Sequence, residues 1–155
     1  MSLKSELSAE RVSHLDLSGF CQAAGDTPVR EVIARMRTGG HGVCLVMAAG
    51  RLAGIFTERD VLTRVVAAEG ALERPISELM TRDPHVASPE MSAAAALALM
   101  DAAHFRNLPV VDQNGDVLGD MTYQSIINYL AARYATAVLN RPLDPEKFPR
   151  KPEGG

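Results

Sequence analysis

Apolar residues follow the spacing of a helix face in two separate stretches of the chain. They recur at i, i+3, i+4 and i+7, which predicts one buried face on an amphipathic helix. The apolar positions are Val29, Val32, Ile33 and Met36 in the first stretch and Ala93, Ala96, Leu97 and Met100 in the second. Two short apolar runs follow each stretch, separated by a turn that contains glycine. The pattern therefore predicts a helix–strand–strand–helix unit that occurs twice.

The two units have matching predicted elements. Those of the first unit are a helix over about Pro28–Arg37, strands Val43–Met47 and Leu52–Phe56, and a helix over about Glu58–Ala68. Those of the second unit are an extended segment at His85–Ser88, a helix over about Met91–Ala103, strands Leu108–Val111 and Val117–Met121, and a helix over about Tyr123–Ala137. Because a unit of about 60 residues buries little surface alone, we expect the two to pack around a pseudo-twofold axis and share one core.

A gap-free alignment relates the two units from the first strand onward. Placing Gly54 over Gly119 gives an offset of 65 residues, which carries residues 41–62 onto 106–127. Upstream the offset is 64, so this alignment puts a one-residue length difference in the turn between helix and strand. The pairs that it predicts include His41 with Arg106, Val43 with Leu108, Cys44 with Pro109, Thr57 with Thr122 and Asp60 with Ser125.

The organisation that follows is an α+β (α/β) fold in which two repeats, related by pseudo-twofold symmetry, pack sheets against helices. We expect residues 1–22 to form an N-terminal helix or strap and residues 73–83 to connect a first repeat, 23–72, with a second, 84–137. Residues 138–155 carry several prolines among charges, which favours an extended tail.

The composition is that of a soluble globular protein and excludes several classes. The 155 residues are 46% hydrophobic and 23% charged, and the formal net charge of −3 gives no basic surface for nucleic acid. The longest apolar run, Ala93–Met100, is far shorter than a membrane span. Two cysteines, Cys21 and Cys44, are too few for a disulfide framework. We therefore expect a cytoplasmic protein with neither a nucleic-acid nor a membrane partner.

Recognisable catalytic and metal-binding motifs are missing from the sequence. It has no HExxH or CxxC spacing, so no metal site is expected. It also has no GxSxG nucleophile elbow and no GxxxxGK[ST] phosphate loop. We therefore expect no catalytic residue and no enzymatic activity, and hydrolysis of a bound ligand lacks a candidate base.

The segment Gly54–Asp60 joins a strand to a helix and carries the candidate chemistry. Thr57 lies where the N–H groups of a starting helix can hold a phosphate, and Asp60, one turn later, could accept two hydrogen bonds from a ribose diol. The alternative is structural: Thr-x-x-Asp is also a helix capping box, in which Asp60 turns back onto its own main chain. The spacing alone favours the cap.

Three segments together resemble the CBS domain, named for cystathionine beta-synthase. They are GIFTERD, RNLPVVDQNGDVLGDMT and MTRDPHVASPEMS, and the resemblance covers about residues 8–137. It implies a tandem pair of βαββα repeats, a Bateman module, that binds AMP, ADP or ATP between its repeats. S-adenosylmethionine or a dinucleotide such as NAD is also within the family's range. The resemblance further implies a homodimer, a disc of four repeats, and an unknown protein that the module regulates.

The family pattern assigns roles to individual residues. It gives Asp60 the ribose hydroxyls and Thr57, with Thr122 in the second repeat, the phosphate. The strands would offer backbone groups to adenine near Val43 and Leu108. His41 and Arg106 would be basic phosphate ligands, although His41 could equally be a turn residue and Arg106 a solvated side chain.

The second repeat departs from the pattern at two positions. Ser125 stands where the first repeat has Asp60, and Asp120 replaces an apolar residue beside the candidate cleft. We therefore expect one competent site and one that is weak, altered or empty, and Ser125→Asp is a change that could restore the second. Two functions remain open: a module that senses adenine nucleotides, or a structural, dimerising module whose nucleotide site is vestigial.

Overall fold

The structure, a computed structural model, describes residues 2–139. After helix α1 (Leu3–Ala9), the first repeat comprises β1 (Cys21–Ala24), α2 (Val29–Gly39), β2 (Val43–Ala48), β3 (Arg51–Thr57) and α3, which begins as Glu58–Asp60 and continues as a π-helical segment, Val61–Val65. The second repeat comprises α4 (Ala93–Ala103), β5 (Asn107–Val111), β6 (Val117–Thr122) and α5 (Tyr123–Leu139), and strand β4 (Thr81–Arg82) lies between the repeats. The predicted α+β fold of two repeats is confirmed. Most of the predicted tail, residues 140–155, lies outside the described residues.

The two central helices end in the same way for local reasons. Helix α2 stops at Gly40, whose left-handed backbone lets its N–H bond to carbonyls of the last turn. Helix α4 starts at Ser92, whose hydroxyl accepts from the amide of Ala95 at 3.1 Å, and stops at left-handed His104. Each helix therefore ends in a left-handed turn that leads directly to the first strand of the following hairpin.

The first sheet has the strand order β1-β2-β3-β4, in which β1 and β2 are parallel and the other pairs antiparallel. In the second repeat β5 and β6 form an antiparallel pair. This pair is extended on both sides by single contacts: Ala87 bridges Val110 in parallel, and the amide of Asp120 donates to the carbonyl of Leu17 at 2.9 Å. The second sheet thus repeats the first with shorter outer strands.

The segment before each repeat packs on the other repeat. The amide of Val12 donates to Met91 at 2.9 Å, and in the same way Ile76 donates to Thr27 at 2.8 Å. Both members of each bond are shifted by 64 residues, so the two contacts are related by the pseudo-twofold axis. Residues 10–17 therefore cover the second repeat and residues 74–81 cover the first, an exchange that ties the repeats together.

Each repeat has its own core, and a third cluster lies between the sheets. The first core includes Val32, Met36, Cys44, Val46, Phe56, Ile76 and Leu79, and the second includes Leu7, Val12, Leu15, Met100, Leu108, Val110 and Met121. The third contains Val43, Leu45 and Ile55 of the first repeat with Phe20, Leu52 and Val117. Because Val117 comes from the second repeat, this cluster identifies the face where the two sheets meet, which we call the inner face.

The strand pairing corrects the predicted alignment. Cys44 pairs with Phe56 and Leu108 with Met121, so β2 and β5 are related by 64 residues whereas β3 and β6 are related by 65. The extra residue lies in the second hairpin turn, between Val111 and Val117. The structural counterparts are therefore His41 with Phe105, Val43 with Asn107, Cys44 with Leu108 and Leu45 with Pro109. The predicted pairs of His41 with Arg106, Val43 with Leu108 and Cys44 with Pro109 are wrong.

The physical reason for this error is burial on both faces. Val43, Cys44, Leu45 and Val46 are all buried, so the strand has no alternation of apolar and polar residues that could fix its register. When β2 is aligned with β5 one residue out of register, apolar residues still match apolar residues. The sequence alone therefore does not distinguish an offset of 65 from the correct offset of 64.

Candidate functional site

Thr57 and Asp60 form the capping box at the start of α3. Asp60 Oδ2 accepts from the amide of Thr57 at 2.9 Å and from its hydroxyl at 3.2 Å, while the Thr57 side chain accepts from the backbone N–H of Asp60. The structural alternative considered for this motif is confirmed. It leaves Oδ1 as the oxygen of Asp60 that is not committed to the cap.

Arg64 accounts for the second oxygen of Asp60. Its Nε lies 3.5 Å from Asp60 Oδ1, and its Nη1 donates to the carbonyls of Leu79 and Met80 at 3.0 and 2.9 Å. The Asp60 side chain is 10% exposed and that of Arg64 is 43% exposed, so the arginine covers the carboxylate from the solvent side. Arg64 was not among the residues predicted from the sequence, although an acid and a base four residues apart on a helix are a signal for an ion pair.

The helix start is less open to a phosphate than the sequence suggested. Three N–H groups of the first turn are bonded within the protein: that of Thr57 to Asp60, that of Glu58 to the carbonyl of Gly42 at 3.2 Å, and that of Asp60 to Thr57. An anion at this position would have to compete with those bonds, because a helix start attracts anions through its unpaired N–H groups.

The remaining residues assigned to the first repeat lie around the same strand end. Val43 pairs with Thr57 and its side chain is buried in the inner-face cluster. His41 is half-buried, and its ring covers Gly39 so closely that an added Cβ would lie 2.5 Å from Cδ2. The structure therefore brings His41, Val43, Thr57 and Asp60 to one end of the β2–β3 pair.

The second repeat brings fewer of its assigned residues together. Arg106 is exposed, and the Leu108 side chain lies in the second core rather than on the inner face. The residue that pairs with Thr122 is Asn107, which the sequence analysis did not single out. The missing signal was the strand register, since Asn107 becomes the counterpart of Val43 only at the corrected offset.

Ser125 caps α5 as Asp60 caps α3. Its hydroxyl accepts from the amide of Thr122 at 3.1 Å, and its own amide donates to Thr122 Oγ1 at 3.2 Å. The same hydroxyl donates to the carbonyl of Asp16 at 2.7 Å. A carboxylate has no proton to donate and could not make this last bond. The serine is therefore suited to the contact with the N-terminal segment, and Asp60 in the first repeat makes no equivalent bond among those described.

Asp120 is the counterpart of Ile55 on the inner face. Met121 points into the second core, so Asp120, the next residue along the strand, points toward the first repeat. It is 1% exposed, and among the described residues neither of its side-chain oxygens has a hydrogen-bond partner. Burial raises the pKa of Asp120 to about 8, so the site favours the protonated form far more than water does.

The described residues show neither a metal centre nor a membrane-spanning helix. Within residues 2–139 no group of three histidine, cysteine, aspartate or glutamate side chains is arranged to hold a metal ion. Over the same residues, none of the helices has the length and apolar character needed to cross a bilayer.

The fold and the two strand–helix junctions define a tandem-repeat α+β module. The family model of the CBS domain matches residues 23–67 and 76–132, and the chain belongs to the CBS domain family. The CBS domain-containing protein YhcV of Bacillus subtilis is 32% identical over an alignment of 114 residues, and the match covers 71% of this chain and 81% of that protein. The chain spans only 20–22% of the length of several CBS domain-containing proteins of Arabidopsis thaliana that it also matches.

Solved structures have the same fold. A CBS domain protein from Pyrobaculum aerophilum complexed with AMP superposes with a TM-score of 0.68 at 23% identity, covering 74% of this chain and 88% of that one. The cytosolic domain of the Mg²⁺ channel MgtE in complex with ATP superposes with a TM-score of 0.66 at 20% identity, covering 81% and 51%. At these identities the comparison establishes the shared architecture.

Proposed function

We propose that the chain is a regulatory module that binds an adenine nucleotide, AMP, ADP or ATP, between its repeats and modulates a partner protein in trans without turning the nucleotide over. Two structural neighbours are described as complexes with AMP and with ATP, which supports this ligand class. The observation that carries the proposal in this chain is Asp60 Oδ1, a carboxylate oxygen that takes no part in the capping box and is held only by the 3.5 Å ion pair with Arg64.

The proposed ligand uses the first repeat as its main site. A ribose diol donates to Asp60 Oδ1, and the Arg64 guanidinium, one helical turn after Asp60, binds the phosphate together with His41 when that residue is protonated. Adenine lies against backbone near Val43. In the second repeat Thr122 keeps its role at the phosphate, and the backbone of Asn107, the counterpart of Val43, takes the role toward adenine that the sequence alignment gave to Leu108. S-adenosylmethionine and NAD carry the same adenosine and belong to the same proposal.

A thermal-melt titration with AMP, ADP and ATP tests the proposal. A ligand at 100 times its dissociation constant adds about 2.7 kcal/mol to the free energy of unfolding. Asp60→Asn keeps an oxygen that can accept from the Thr57 amide but removes the charge that favours a diol. We therefore expect this variant to fold like the wild type and to lose most of the nucleotide-induced shift. Glu69→Gln, at an exposed carboxylate, is the matched control and should retain the shift.

A second candidate function is supported by the same junction. Because Asp60 and Ser125 both serve as helix caps, the motif can persist for structural reasons alone. The chain would then be a scaffold with a vestigial site. If no adenine compound at millimolar concentration shifts the melting curve of the wild type, the scaffold is correct and the nucleotide-binding proposal is wrong.

A homodimer forms part of the proposal. Leu62 on α3 and Val66, directly after its last residue, are 71% and 74% exposed, and Ile127, the counterpart of Leu62 on α5, is 54% exposed. A second copy that covers these helices would remove their apolar surface from water. Sedimentation at micromolar concentration should give twice the mass of the chain. The variant Leu62→Glu should sediment with the mass of a single chain. The free thiols of Cys21 and Cys44 support a cytoplasmic location.

A further inference from the structure

The inner faces of the two sheets differ in polarity at equivalent positions. In the first repeat this face is apolar up to the threonine, with Val43, Leu45, Ile55 and Thr57. The corresponding residues of the second repeat are Asn107, Pro109, Asp120 and Thr122. Two apolar side chains are thus replaced by polar ones on the same face, and both replacements flank the strand end that leads into α5. We call this set of four residues the second inner site.

Asp120 is the residue of this site that lacks what a buried acid requires. Its backbone amide donates to the carbonyl of Leu17, and the side chain directly opposite it, that of Pro109, carries no hydrogen-bonding group. Both carboxyl oxygens are without a partner among the described residues, although the side chain is almost fully buried. A buried carboxyl without hydrogen bonds is costly, so the position favours a ligand that supplies them.

The chemistry of the missing partner follows from the burial of both carboxyl oxygens, which favours the neutral, protonated acid over the carboxylate. A protonated carboxyl presents one donor and one acceptor side by side, whereas a carboxylate presents acceptors only. The edge of an adenine base, an amino group beside an unprotonated ring nitrogen, is complementary to the protonated form. A cation would instead require the ionised form, which burial disfavours at this position.

We propose that Asp120 reads the amino-substituted edge of an adenine base held at the second inner site. The inference rests on the proposed function, because it assigns a specificity residue to a nucleotide in the second repeat. Thr122 lies two residues further along the same face, about 6.6 Å away. That separation suits a nucleotide whose base meets Asp120 while its sugar and phosphate point toward Thr122 and the start of the 17-residue helix α5.

Titrations followed by amide NMR test this assignment on the full chain. The amides of Gly119 and Thr122 report the second site, and those of Gly54 and Thr57 report the first. The two probes are AMP and purine riboside 5′-monophosphate, which lacks only the amino group. For the wild type we expect AMP to bind the second inner site about 5- to 10-fold more tightly than purine riboside 5′-monophosphate does. This ratio is the effect of one hydrogen bond to a buried group.

Two variants separate base recognition from folding. Asp120→Asn keeps one donor and one acceptor and should preserve the preference for AMP at the second site. Asp120→Leu should abolish the preference, and because it removes a buried polar group it is expected to fold. Ile55→Val, at the equivalent position of the first repeat, is the matched control and should leave the preference at the second site unchanged.

The remaining outcomes overturn the inference in distinguishable ways. If only the amides of the first repeat respond, the second site is empty and the proposed function stands without this inference. If Asp120→Leu keeps the preference for AMP, another residue reads the base and the assignment of Asp120 is wrong. If no amide responds to either compound, the proposed function fails as well.

Discussion

Arg64 lies 3.5 Å from Asp60 and connects that carboxylate to the segment between the repeats. The same guanidinium donates to the carbonyls of Leu79 and Met80, two buried residues that pack into the first core. Met80 also lies against Gly54, where an added Cβ would meet its sulfur. One arginine therefore links the candidate ribose carboxylate, the connector and the glycine of the motif, so a ligand that draws Arg64 away would loosen the connector.

Replacing Arg64 should destabilise the protein more than replacing an arginine of an exposed ion pair. Arg64→Met removes two hydrogen bonds to backbone carbonyls and leaves the mostly buried Asp60 with only its cap. We expect the free energy of unfolding to fall by about 1–2 kcal/mol, measured by urea denaturation. The loss is discounted for the partial exposure of the arginine.

Arg30→Met is the matched control for this comparison. Arg30 pairs with Glu73, and both side chains are largely exposed. Such pairs contribute about 0–1 kcal/mol, so the control should remain close to the wild type. Equal losses for the two variants would mean that the link from Arg64 to the connector carries no special stability.

The structure reverses the expectation for Ser125→Asp. The sequence suggested that an aspartate at this position could restore the second site. Because the Ser125 hydroxyl donates to the carbonyl of Asp16 at 2.7 Å, a carboxylate there would face that carbonyl without a proton to share. We expect a loss of about 1–3 kcal/mol in urea denaturation and no added nucleotide stoichiometry in calorimetry.

Ser125→Ala separates the two contributions of the serine. It removes the cap and the bond to Asp16 but introduces no repulsion, so its loss should be about 0.5–2 kcal/mol. A Ser125→Asp variant that is more stable than Ser125→Ala, or that binds a second equivalent of AMP, would contradict this interpretation.

The fold could be predicted because its determinants are local and duplicated. The helical spacing around Val32 and Ala96, together with glycine turns such as Gly115, is readable in a short window, and its repetition excludes chance. The exchange of segments between repeats could not be predicted, since the contact of Val12 with Met91 joins residues that are far apart and carry no matching pattern. The strand register failed for a related reason: Cys44 and its neighbours are buried on both faces.

The candidate site could be predicted only as far as sequence spacing determines geometry. Thr57 and Asp60 are three residues apart at a helix start, and that spacing alone determines the capping box. The sequence also marked Asp120 as unusual. It could not show that Pro109 would be the residue opposite, because the correct pairing depends on the register.

The glycines of the two motifs are required by the exchanged segments. At Gly119, with φ +155°, an added Cβ would collide with the side chain and carbonyl of Leu17, and at Gly54 it would lie 2.8 Å from the carbonyl of Thr81. Gly54→Ala and Gly119→Ala should each cost about 1–3 kcal/mol or more, measured by denaturation. Gly19→Ala, where nothing lies within 4 Å, is the control and should be neutral. A small loss of stability in both Gly54→Ala and Gly119→Ala would show that the segments around Thr81 and Leu17 move readily to make room for a methyl group.

The stability of the protein should decrease as the pH rises, through Asp120. The pKa of this carboxyl is 3.8 in the unfolded chain and about 8 when buried, so between these values the folded state holds a proton that the unfolded state has released. A difference of one bound proton corresponds to a slope of about −1.4 kcal/mol per pH unit. The contribution of the protonated Asp120 to the free energy of unfolding is complete below pH 4 and is lost progressively as the pH rises toward 8. Asp16, in the adjoining segment, has a lowered pKa and gives a slope of the opposite sign at lower pH.

Asp120→Leu isolates this contribution, because the other titrating groups are common to both proteins. Urea denaturation of the variant should show about 1–3 kcal/mol more stability than the wild type at pH 7, since an unpartnered polar group has been removed from the interior. The advantage should shrink as the pH is lowered toward 5, because the proton that the folded wild type holds on Asp120 is then taken up from solution at a smaller free-energy cost. Asp101→Asn, at an exposed acid, should change neither the stability nor its slope. An advantage for Asp120→Leu that is the same at pH 5 and pH 7 would mean that Asp120 ionises normally in the folded protein and has a partner or water beside it.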